Sequence, residues 1–236
     1  MTTQRRGLLA LALLPLVPAS VRAGGQLEEP LADAVRSALA KAVANDAPPK
    51  PAFDTMDVRL KFLRWLGAMS ERLKRYHKDE HLTRVEFLET LWYESKRSGL
   101  EPSLVLGLVQ VESAFRKFAV SSVGARGFMQ VMPFWARLIG DGDASRLFHM
   151  QTNLRFGCVM LRHYLDREQG DLFMALGRYN GSRGRPEYPT AVFAARKRWE
   201  NDDPKTPLGV VPRGDLGPLG GGPALARGDG RRTPVP

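Results

Sequence analysis

Cysteine is almost absent from this chain: Cys158 stands alone in 236 residues, so no intramolecular disulfide can form. Carboxylates are absent from the first 23 residues and again between Glu112 and Asp141. No apolar run reaches the roughly 20 residues that a membrane helix needs. The run over 8–17 is short and broken by Pro15, so no stable membrane insertion is expected. Histidines are few: His77, His81, His149 and His163. Only His77 and His81 share a four-residue spacing, and no carboxylate accompanies them in the zinc-protease manner. No metal and no cofactor is therefore expected. Zinc-finger spacings, a P-loop and aromatic-basic repeats are all missing, which argues against nucleic acid as a partner. Aromatic residues stop at Trp199.

What is present begins with a basic balance, 35 Lys and Arg against 25 Asp and Glu. Such a surface suits an anionic partner, without choosing among cell-wall peptides, nucleic acid and lipid. Arg5 and Arg6 precede the apolar run, and Ala19, Ser20 and Ala23 follow it. This is the pattern of an export signal cleaved near Ala23, with a twin-arginine route and the general secretory route equally open. Residues 24–53 read as an N-terminal segment with a short helix over 31–43 and a Pro-rich linker over 47–51. Residues 54–200 read as one domain. Beyond Asn201 the density of Pro and Gly predicts a disordered tail, 201–236, because it has too little apolar area to offset ordering entropy.

Within the domain the periodicity is helical throughout, and the expected fold class is mostly α. A helix is predicted over 54–76, with Phe62, Leu66, Met69 and Leu73 inward. Thr83 and Glu86 form a capping-box pattern for the next helix, which places Val85, Leu88 and Trp92 inward and stops at Gly99. Pro102 suits the first turn of a helix that is apolar nearly all round. Further helices are predicted over 133–139, 152–167, 172–179 and 190–199. Cys158 shares a stripe with Leu154, Leu161 and Leu165, the signature of a core thiol.

Glu112 ends the apolar run over 104–111. An apolar wall favours the neutral form of a carboxyl, so such a group can keep a proton to donate to a leaving oxygen. Most glycosidases use two carboxylates, and here Asp141 and Asp143 are the nearest downstream ones. Around Glu112 the chain reads Glu112-Ser113, Phe115, Ala119, Ser121, Gly124-Ala125, Gly127, Met129-Gln130 and Pro133. A second block has Asn153, Gly157 and Leu161, and a third runs from Ala175 through Tyr179-Asn180 to Gly181-Ser182. In this order and spacing the blocks resemble the soluble lytic transglycosylases, glycoside hydrolase family 23. Departures are Phe128 for the family's Leu, Tyr164-Leu165 displaced from their place in the second block, and Gly181-Ser182 for the family's Ala-Gly.

That resemblance implies a lysozyme-like helical domain with a glycan groove. It implies cleavage of the bond between N-acetylmuramic acid and N-acetylglucosamine in peptidoglycan, without water, leaving 1,6-anhydro ends. It casts Glu112 as sole acid and base. Ser121, Met129, Gln130 and Tyr179 become substrate contacts, with Tyr179 facing the catalytic carboxyl, and Tyr188 a groove residue. Ser113, Gly124, Gly127 and Asn180 become structural neighbours of the site. The expected partner is the glycan strand and the expected location the periplasm; protein partners are not legible. Two rivals remain at this level. A hydrolytic muramidase of goose-lysozyme type would need a second carboxylate, and a non-catalytic glycan-binding module would need no acid at all.

Overall fold

The computed structural model describes residues 25–44, 53–76 and 81–200. The predicted leader, the Pro-rich linker, His77 and the predicted tail lie outside them. The described residues are mostly helical, as expected. In chain order they form α1 (Asp33–Val43), α2 (Met56–Leu73), α3 (His81–Arg97), α4 (Pro102–Ser113) and α5 (Pro133–Ile139). A 3₁₀ turn (Ala144–Phe148) then leads to α6 (Met150–Arg167), α7 (Leu172–Asn180) and α8 (Glu187–Arg196). Extended pairing among the described residues is limited to two isolated bridges, Val120 with Arg126 and Arg126 with Val131.

Local chemistry sets most of the boundaries. The hydroxyl of Thr55 accepts from the Val58 amide and starts α2. Pro102 and Pro133 each occupy the first turn of their helices, where a missing N–H costs nothing. Gly99 takes φ 66° after α3, and the Leu100 amide turns back to the Ser95 carbonyl at 2.8 Å. With Gly99 N–H on Lys96 O, that is a Schellman ending.

Two predicted starts are corrected. Helix α3 is already formed at His81, so Thr83 lies inside it and the Thr83–Glu86 pair is not its cap. Helix α8 begins at Glu187, three residues before the predicted start. Pro189 sits in the first turn, where its missing N–H leaves no intrahelical bond unmade. This shift places Tyr188 on a helix rather than in a loop.

The apolar stretch of α4 is buried on nearly every side, as its composition demands. It packs chiefly against α8. The two backbones meet at Gly107, where a Cβ would come within 2.7 Å of the Arg196 amide nitrogen. Helix α6 lies against α3 and α7 and carries Cys158 wholly into the core. Burial pushes that thiol well above the ordinary range, so it is inert filling. Between α3 and α6 a buried ion pair joins Arg155 to Glu94, with N–O distances of 2.8 and 3.0 Å. Arg97 reaches the second Glu94 oxygen at 3.5 Å.

Candidate active site

Glu112 sits in the last turn of α4 and is 5% exposed. Its Oε1 accepts a 2.5 Å hydrogen bond from the hydroxyl of Tyr188, on the first turn of α8. The close packing of α4 on α8 brings these residues together. Burial pushes the Tyr188 phenol well above its ordinary range, and the neighbouring Glu112 carboxylate adds to the rise. The phenol therefore stays protonated and acts as a donor.

The chain leaves α4 through left-handed backbone at Ala114 and Phe115 (φ 49° and 64°) and folds into an irregular loop that returns at Val131. Ser113 ties the helix end to that loop by donating to the Phe128 carbonyl at 2.7 Å. Arg116 turns its Nε onto the Ser113 carbonyl at 3.0 Å. Asn153 of α6 braces the loop from beneath. It accepts from the Met129 amide at 2.8 Å and donates to the carbonyls of Arg126 and Leu147, also at 2.8 Å. Gly124 and Gly127 turn the loop in left-handed backbone (φ 85° and 75°).

The other predicted site residues fall as follows. Ser121 accepts from the amides of Val123 and Ala125 at 3.3 and 3.0 Å, so its oxygen organises the turn while the residue stays half-buried. Met129 is fully buried. Gln130 is buried too, and its amide donates to the carbonyls of Ala119 and Gly127 at 3.2 and 3.0 Å. The Tyr179 hydroxyl donates to the Met129 carbonyl at 2.7 Å. The Tyr188 phenol thus bonds the Glu112 carboxyl, and the Tyr179 phenol holds the loop. Desolvation, with Glu112 next in effect, raises the Tyr179 phenol far above its usual range. Asn180 donates to the Ser182 hydroxyl at 3.0 Å in the turn after α7.

The two nearest downstream carboxylates are engaged at the surface. Asp143 accepts from the Ser145 amide at 2.8 Å and starts the 3₁₀ turn. Asp141 pairs with Arg146 and accepts from the Asp143 amide. Hydrogen bonds hold both carboxyls below the ordinary range, as anions. Among the described residues no three His, Cys, Asp or Glu side chains gather into a possible metal site.

One buried carboxyl bonded to a phenol at a helix end, beside a braced glycine-bearing loop, is an arrangement that can hold a proton and pass it to a bound group. Residues 90–201, a little under half of the chain, match the model of the transglycosylase SLT domain, and over this segment the chain is similar to the soluble lytic transglycosylases. The transglycosylase of Enterobacteria phage PRD1 is 38% identical over 97 residues, which cover 41% of this chain and 35% of that one. Membrane-bound lytic murein transglycosylase C of Glaesserella parasuis is 56% identical over 75 residues, 28% of this chain and 21% of its own. The enzyme of the same name from Actinobacillus pleuropneumoniae is 39% identical over 84 residues, 32% and 23%. The chain thus spans about a third or less of the length of these relatives. The solved structure of the lytic transglycosylase Slt of Pseudomonas aeruginosa aligns over 48% of this chain and 22% of that one, at 26% identity and a TM-score of 0.38.

Proposed function

We propose that this protein is a peptidoglycan lytic transglycosylase in which Glu112 is both general acid and general base. The single observation that carries the reading is the 2.5 Å bond from Tyr188 to a Glu112 carboxyl buried at the end of an apolar helix. As the neutral acid, Glu112 gives its proton to the oxygen between N-acetylmuramic acid and N-acetylglucosamine, and the bond from that oxygen to muramic C1 breaks. The muramic C6 hydroxyl then attacks C1, and its proton passes to the Glu112 carboxylate. The product carries a 1,6-anhydro ring, Glu112 is again protonated, and no water is consumed. One group serves twice when its affinity for the proton is matched to ambient pH. Tyr188 orients the carboxyl between the two steps. The loop over 114–131 with Gln130 forms one wall of the glycan groove. Its buried side chains shape the wall, and Ser121 sets the turn.

The engaged state of Asp141 and Asp143 supports single-carboxylate chemistry over a water-activating second base. Mass spectrometry of digested sacculi tests the reading. Anhydro-muropeptides are expected, whereas reducing muramic ends would establish a hydrolytic muramidase. A blank zymogram would leave only a glycan-binding module.

Substrate of this kind places the working protein in the cell envelope, and the predicted leader supports a periplasmic location after cleavage near Ala23. No helix among the described residues is long and apolar enough to cross a membrane. The domain proper is proposed to span 54–200, with the segment over 24–53 before it and a tail over 201–236 after it.

A further inference from the structure

The stretch over 25–31 precedes α1 and lies outside the segment matched to the transglycosylase domain. It is neither helix nor strand, yet it carries a side chain only 4% exposed, Gln26. Burying a primary amide is unfavourable unless both of its polar ends are bonded. Here both are, and to backbone groups of one short turn. Gln26 Nε2 donates to the Gln130 carbonyl at 3.3 Å, and Oε1 accepts from the Met132 amide at 3.2 Å.

The stretch is fastened on either side of Gln26. Upstream, the backbone of Gly25 lies against that of Gly181, so close that a Cβ on Gly181 would strike the Gly25 carbonyl. Downstream, Glu29 pairs with Arg167 of α6 and, at 3.3 Å, with Arg178 of α7. Glu28 reaches Arg137 of α5 at 3.9 Å.

The turn that Gln26 grips needs holding. Gln130 has φ 48°, a left-handed conformation that non-glycine residues adopt only where the surroundings impose it. Ser113, Asn153 and Tyr179 fix the backbone of Phe128 and Met129 from within the domain. Gln26 fixes the carbonyl of Gln130 and the amide of Met132. Each of these four residues is 15 or more positions away along the chain.

We propose that Gln26 is a positioning residue for the substrate wall: it clamps the backbone over 130–132, so that the segment just after the predicted cleavage point is a built part of the active site. The proposal rests on the reading of this loop as the glycan-contacting wall. It assigns the N-terminal segment a role in substrate binding rather than in proton transfer, because Glu112 and Tyr188 lie on α4 and α8.

The test compares the full chain with its Gln26→Ala variant by steady-state kinetics on purified glycan strands and by amide hydrogen exchange. The variant's KM is expected to rise about fivefold, the equivalent of about 1 kcal/mol. Its kcat and pH profile are expected to stay as in the parent. Exchange is expected to quicken at the amides over 130–132 and to remain unchanged in α4 and α6. Gln26→Met fills the same space without either hydrogen bond, and it is expected to behave alike where the alanine variant loses its fold. A parental KM with parental exchange at the loop overturns the proposal. So does a uniform quickening of exchange over all helices, which would mark a contribution to global stability only. If the parent chain releases no anhydro ends, the transglycosylase reading fails, and the loop-confined exchange then decides the clamp by itself.

Discussion

Tyr188 and Glu112 are 76 residues apart in the chain and share a 2.5 Å hydrogen bond in which the phenol donates to the carboxyl. A donor to a carboxylate stabilises the anion. Replacing Tyr188 by Phe keeps the ring and removes the donor, so the carboxyl holds its proton to higher pH. Glu112 must enter the first step protonated, so its loss of the proton sets the alkaline limb in the profile of kcat/KM against pH, and the inflection of that limb should move upward. Turnover should fall about 10-fold to 100-fold, in line with the roughly 1.5–3 kcal/mol of a hydrogen bond to a charged group. Kinetics of Tyr188→Phe across pH 4–9 check this, the range chosen about the usual carboxyl values. An unchanged inflection would show that the phenol only packs.

Glu112→Gln keeps the volume and polarity of the side chain and deletes the transferable proton. Loss of a general acid–base group typically costs about 10²–10⁴-fold. Because one residue here serves both steps, the loss should lie at or above the upper end. Muropeptide release by the folded variant, with unchanged helical circular dichroism, is the measurement. Turnover near that of the parent chain would move the chemistry to another group.

The apolar run of α4, the prolines that open α4 and α5, and the glycine that ends α3 were all legible along the chain. Each is a local signal whose cause lies within a few residues. The start of α8 was not, because proline in a first turn and proline at a break look alike in sequence. The resemblance sets Tyr179 against the Glu112 carboxyl and does not mark Tyr188 as its hydrogen-bond donor; the packing of α4 on α8 brings the Tyr188 hydroxyl there. Gln26 carries no local signal at all. It is one polar residue in a Gly-Gln-Leu-Glu-Glu run, and its function comes only from groups more than 100 residues away.

The Glu94–Arg155 pair is another long-range tie, between residues 61 positions apart. Both side chains are almost wholly buried. Arg155 also donates to the Ala44 carbonyl at 2.7 Å, so the pair fastens α3, α6 and the end of α1 together. Removing one member of a buried pair strands the other charge in a low-dielectric interior, which costs about 3–5 kcal/mol. Glu94→Gln should show that loss in urea denaturation with an unchanged m-value. The double variant Glu94→Leu with Arg155→Met should recover much of it, since two apolar side chains leave no charge to solvate. A loss under about 1 kcal/mol in the single variant would mean that water reaches the pair.

Glu168, at the end of α6, accepts from Arg183 at 2.8 and 2.9 Å and also pairs with Arg178 of α7. The hydrogen bond from Arg183, with that from Arg178 behind it, holds the Glu168 carboxyl down at about 2. In the unfolded chain a glutamate titrates near 4.3. The folded state therefore binds this proton more weakly, and the ion pair contributes its full stability above about pH 4.5. That contribution falls as pH drops through the interval from about 4.5 to about 2. Arg183 is nearly half exposed, so solvent screening limits the gain to roughly 1 kcal/mol, or ~3 °C in Tm for a domain of this size. Glu168→Gln should melt lower than the parent at pH 7, and the gap should close on acidification to about pH 2. Scanning calorimetry of both proteins over that range checks the sign. A gap that stays constant with pH would show that Glu168 acts through neutral hydrogen bonds, and the link from α6 through Arg178 to Glu29 would then be packing rather than charge.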